Sequence, residues 1–136
     1  MKKKRILFLF LLIMTMLLAG CGEKKEKPEK IKDLDYTVQE ESEVPEELLQ
    51  KMKEKQKEPF QMTYETEEYL YIAKGYGTQK NSGYSIRVLE LYESPEGIVF
   101  LSELIGPAKD EPVLQVEMYP SIVIKLENYG LNVIFE

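Results

Sequence analysis

The apolar residues of this chain change period at Phe60. Before it, Val44, Leu48, Leu49 and Met52 fall at helical spacing in a stretch that holds Pro45 and stops at Pro59. After it, apolar residues recur at every second position. Tyr84-Ser85-Ile86-Arg87-Val88 alternates, as do Ile122, Ile124 and Leu126 with Val123, Lys125 and Glu127, and Leu131, Val133 and Phe135 with Asn132, Ile134 and Glu136. Strand side chains point alternately to opposite faces, so such runs bury one face of a sheet. One helical stripe followed by strand patterns predicts an α+β fold, with a short N-terminal helix packed on a mainly antiparallel sheet of about five or six strands.

Pro45 is expected to open the helix, where its missing N–H does no harm, and Pro59 to end it. Glu46 and Glu47 suit the positive end of the helix, and Lys51, Lys53, Lys55 and Lys57 the negative end. An isolated helix this short is marginal in water, so its stripe should dock on the sheet of its own domain. Phe60–Tyr64, Glu68–Ala73, Tyr84–Leu91, Ile98–Leu101 and a fragment at Val113–Val116 read as strands. Ser94-Pro95-Glu96-Gly97 has proline and glycine where a type I turn favours them, which predicts a hairpin. Asn128-Tyr129-Gly130 predicts a second hairpin between the last two strands.

The start of the chain stands apart from this domain. Lys2, Lys3, Lys4 and Arg5 precede a segment, Ile6 to Leu18, that is apolar except for Thr15. Leu18-Ala19-Gly20-Cys21 follows. A basic start, an apolar stretch and small residues at its end make a secretory signal. The apolar stretch is short of the roughly 20 residues a membrane span needs. Cys21 after Leu-Ala-Gly resembles the lipobox of bacterial lipoproteins. The resemblance implies cleavage before Cys21 and acylation of its thiol by chains such as palmitate. The expected location is the extracytoplasmic face of the cell membrane, held by the lipid anchor.

Residues 1–20 are then a signal peptide, 21–43 a lipidated cysteine and disordered linker, and 44–136 the folded domain. Residues 22–43 are polar, with few apolar residues and no period, as a solvated tether is. If flexible, about 20 such residues span roughly 25 Å. Removing the signal leaves 14 basic against 24 acidic residues, a net charge of −10. Nucleic acid is not expected as a partner, because phosphate binding wants a basic face.

Chemistry is bounded by what the chain lacks. It has no histidine, and Cys21 is its one cysteine. Serine and cysteine nucleophiles are usually activated by an imidazole, and zinc sites usually need histidine or several cysteines. No calcium-loop spacing occurs, and neither metal nor cofactor is expected. What survives is carboxylate chemistry, with Glu90, Glu103 and Glu117 as the residues that would have to converge. Acidic runs such as Glu40-Glu41 and Glu46-Glu47 read as solvated faces. The loop from Gly75 through Ser82 holds glycine, Lys80 and Ser82 but lacks phosphate-loop spacing. Tyr69, Tyr71, Tyr76, Tyr84 and Tyr119 fall near strand ends, where tyrosine serves equally as contact surface or core edge.

Tyr71-Ile72-Ala73-Lys74-Gly75, Ser82-Gly83-Tyr84-Ser85-Ile86, Gly106-Pro107 and Tyr119-Pro120-Ser121-Ile122-Val123-Ile124-Lys125 resemble the C-terminal domain of the PrcB family over about residues 69–135. The family is named after a lipoprotein subunit that associates with and stabilises a surface protease. Its members commonly show a glycine-glycine-tyrosine turn, where this chain has Ser82 first. They also show Pro-Tyr before the valine-isoleucine strand, where this chain has Pro120-Ser121. The resemblance implies a non-catalytic accessory module that binds a protein, an exported protease among the candidates. Partner contacts are expected from Tyr76, Ser82, Gly83, Tyr84, Tyr119 and Pro120. A second reading is an envelope small-ligand or polymer binder, which requires a concave apolar pocket. The third is the carboxylate-based hydrolase.

Overall fold

The computed structural model describes residues 26–136. The signal segment and Cys21 lie outside the described residues. The strands are β1 (Lys32–Asp33), β2 (Thr37–Val38), β3 (Pro59–Glu65), β4 (Tyr69–Tyr76), β5 (Ser85–Ser94), β6 (Gly97–Ile105), β7 (Ser121–Glu127) and β8 (Val133–Phe135), with one α-helix, α1 (Glu46–Lys55). They form two four-stranded sheets, ordered β2-β7-β4-β3 and β1-β5-β6-β8. The expected helix is present, while the single sheet of five or six strands is instead two sheets of four.

The two sheets enclose one core. Leu70 and Ile72 of β4 and Ile122, Ile124 and Leu126 of β7 meet Leu91, Ile98 and Phe100 of the second sheet. The opposite face of the first sheet carries α1, where Val44, Leu48 and Met52 pack on Phe60, Tyr71, Ala73 and Val123. Both faces of β4 and β7 are therefore covered, and Ile72, Ala73 and Ile124 have no exposed surface. The helical stripe docks on the sheet as its spacing predicts. Burying Leu48 contributes about 2 kcal/mol by transfer alone, more than a helix of this length gains from propensity. Gly75 belongs to this contact: a Cβ there would lie 2.2 Å from Phe60 Cε1.

The β5–β6 hairpin forms as the turn residues predict, with Ser94 paired to Gly97 around Pro95-Glu96. Ser94 Oγ donates to the Gly97 carbonyl at 2.9 Å and accepts from Glu96 N at 3.2 Å. The second predicted hairpin does not form. β8 pairs in parallel with β6, Val133 to Ile98 and Phe135 to Phe100, in the other sheet. Asn128 redirects the chain: its Oδ1 accepts from Gly130 N at 2.9 Å, with Gly130 at φ +68°. Val133 and Phe135 then pack against the core between the sheets, and Phe135 meets Phe100 edge-on. The fragment expected at Val113–Val116 forms no strand.

The disordered tether is also corrected over its described part. Residues 31–39 form a strap that closes one side of both sheets. β1 pairs with β5, β2 pairs with β7, and Leu34 between them enters the core at 6% exposure. Ile31, Leu34 and Gln39 donate backbone hydrogen bonds to Glu93, Leu91 and Val123. One leucine and a few backbone bonds to existing strands suffice to order it, and neither leaves a periodic trace in the sequence.

Candidate protein-binding surface

At one end of the sandwich two connections meet: the β4–β5 loop, residues 77–84, and the β6–β7 loop, residues 106–120. A structureless loop as long as the second is uncommon in a small domain and usually serves a function. The two brace each other. Ser82 N donates to Leu114 O at 3.0 Å, and Leu114 N donates to Ser82 Oγ at 2.8 Å. Gln79 and Met118 exchange backbone bonds of 2.8 and 2.9 Å. Tyr76 N donates to Pro120 O at 3.0 Å. Gly83 adopts φ +94°, and a Cβ there would sit 2.9 Å from Pro107 Cβ, so a larger residue would push the loops apart.

All six residues expected to touch a partner lie in or beside this braced end. Most of them build it rather than present it. Tyr76 Oη lies 2.5 Å from Ser102 Oγ, tying β4 to β6 across the core. Tyr84 packs beside Gly106, and Pro120 holds Tyr76. Tyr119 donates to Glu117 at 3.3 Å and lines a groove of about 310 Å³ beneath α1, with Met52, Lys53 and Phe60.

The surface presented is one that the contact prediction left out. Leu114, Val116 and Met118 are 68%, 47% and 43% exposed. Scattered exposed apolar residues are ordinary, but three within five residues of a braced loop concentrate exposed apolar surface at one place, as interaction sites do. A signal for it existed. Leu114, Val116 and Met118 alternate with Gln115 and Glu117, a one-faced strand pattern in a segment that has no partner strand of its own.

The chemistry around it is sparse. Lys74 Nζ stands 5.3 Å from the centre of the Tyr76 ring, and burial pushes its pKa below the usual lysine value. Ser102 is 7% exposed and its hydroxyl is engaged by Tyr76, so the trio is a cross-sheet tie rather than an open nucleophile. The three glutamates of the hydrolase reading do not converge: Glu90 pairs with Lys27, Glu103 with Arg87, and Glu117 accepts from Tyr119. Among the described residues no group of acidic side chains is arranged to hold a metal ion.

Residues 70–127 match the family model described as PrcB C-terminal. The match begins inside β4 and ends with β7, so it includes both loops of the braced end. Neither the curated proteins nor the solved structures contain a match to this chain.

Proposed function

We propose that this chain, whose residues 70–127 match the PrcB C-terminal family model, is an accessory subunit that binds and steadies a protein partner of a protease complex. The family supports the accessory role. The observation that carries the binding reading is the exposed Leu114–Val116–Met118 ridge, held rigid by Ser82 and Gln79. A pre-ordered loop loses little conformational entropy on docking, which favours affinity. In this reading the domain performs no chemistry, and an exported protease is the partner. A lipid on Cys21 holds it at the extracytoplasmic membrane face, a placement supported by the basic, apolar and Leu-Ala-Gly-Cys order of residues 1–21.

The test is cross-linking in the native membrane from a photoreactive residue at Val116, followed by identification of the adduct. A protease-complex component is expected, with the adduct lost in Leu114→Asp and in Cys21→Ala. Adducts of equal yield from a residue placed at Glu96, in the β5–β6 turn at the other end of β6, would refute this surface.

The small-ligand reading rests on the groove beneath α1. It ranks second because its apolar floor, Val44, Met52, Phe60 and Val123, is already buried against the helix and sheet.

A further inference from the structure

We propose that β3 is a docking edge that accepts an extended segment of a partner protein as a fifth strand, antiparallel and with basic residues leading. This deepens the protein-binding reading and rests on it for the partner, but it uses a different surface.

The parity of the β3–β4 ladder shows which backbone groups are free. Thr66 N donates to Tyr69 O, so Tyr64, Met62 and Phe60 continue the bonded pairs with Tyr71, Ala73 and Gly75. Tyr76 N bonding Pro120 fixes the same parity from the β7 side. The N–H and C=O groups of Gln61, Thr63 and Glu65 therefore point away from the sheet. The other three edge strands are short, β1 and β2 of two residues and β8 of three, whereas β3 has seven. An uncovered edge is a template for another chain, and proteins usually blunt it with lysine, a bulge or proline. The seven residues of β3 contain no lysine and no bulge, and Pro59 stands at the extreme end.

The side chains specify the occupant. Met62 and Tyr64 are half-buried on the α1 face, at the margin of its apolar cluster, so every second residue of the added strand should be apolar. Gln61, Thr63 and Glu65 are exposed on the other face and ask for polar residues. Charge then sets direction. Glu65, Glu67 and Glu68 crowd the tail of β3, and no ion pair among the described residues takes them. At its head a concavity of about 500 Å³ is lined by Lys55 and Lys57 together with Glu54 and Glu58, so charge is balanced there and the glutamates of the tail set the direction. An antiparallel neighbour begins beside the glutamates and ends beside the charge-balanced head. The segment is thus basic first and alternately apolar after that.

The probe is a synthetic nonapeptide, Lys-Val-Lys-Val-Thr-Val-Thr-Val-Glu, added to the full chain in detergent. Hydrogen exchange at the amides of Gln61, Thr63 and Glu65 is expected to be fast without peptide and slowed at least about tenfold by saturating peptide, as ladder bonds form. Thr63→Pro removes one outward donor while sparing the β4 ladder, and should weaken peptide binding about tenfold. The reversed sequence should bind at least about fivefold more weakly. Unchanged exchange at the three amides overturns the proposal, as does equal binding of both peptides. Protection that appears without peptide and grows with protein concentration also overturns it, because the occupant would be a second copy. Leu114→Asp should leave peptide binding intact, so failure of the loop surface and failure of this edge are read separately.

Discussion

Leu34→Ala tests whether the strap is part of the fold. Leu34 is 6% exposed and sits in the cluster with Leu91, Ile98, Ile124 and Leu126. Truncation removes its transfer free energy and leaves a cavity, which for a leucine in such a setting costs about 2–5 kcal/mol. Here the lower half of that range applies, about 2–3 kcal/mol, because the strap is held by two ladders of two residues and can relax into the space. The same mobility gives a second signature. The Ile31, Leu34 and Gln39 amides donate to β5 and β7 and should open together once the plug is gone. Urea unfolding gives the first quantity and native-state hydrogen exchange the second. Val38→Ala is the control, since Val38 lies in the same strap at 58% exposure and should change stability by less than about 0.5 kcal/mol. If Leu34→Ala costs no more than Val38→Ala, and the three amides keep their wild-type rates, the argument that one leucine pins residues 31–39 is wrong.

Tyr76→Phe should destabilise by about 1–2 kcal/mol, because Ser102 Oγ is left buried without its partner, and adding Ser102→Ala should recover part of the loss; paired denaturation curves measure the coupling. Gly75→Ala should cost about 1–3 kcal/mol by driving a methyl into the Phe60 ring, and near-UV spectra should show whether α1 loosens from the sheet. Lys74 binds its proton less tightly folded than unfolded, so its burial penalty acts below the folded pKa and lifts as pH rises toward the ordinary lysine value. Lys74→Met should therefore raise the melting temperature at neutral pH and flatten the rise of stability into the alkaline range; a lower melting temperature would refute the burial argument. Ser82→Ala should leave global stability within about 1 kcal/mol but speed exchange at Leu114 N and reduce cross-linking from Val116.

Local pattern alone settled a good part of this molecule. Pro45, the Leu48/Met52 stripe and Pro59 bound a helix because periodicity and proline act within a few residues. The β5–β6 hairpin follows from Ser94 to Gly97 for the same reason, and the braced end was legible as a region through its glycines, prolines and tyrosines. Pairing between distant segments was not legible. Leu131, Val133 and Phe135 alternate as a hairpin partner would, yet only the contact with Ile98 and Phe100 decides that β8 runs parallel to β6. Two sheets rather than one follow from where these strands find cover. Leu34 carries no periodicity, because its significance lies in a gap that exists only after both sheets have assembled. The exposed ridge at Leu114, Val116 and Met118 shows the limit most clearly. Alternation specifies a face, but the rest of the fold decides whether that face meets the core or the solvent.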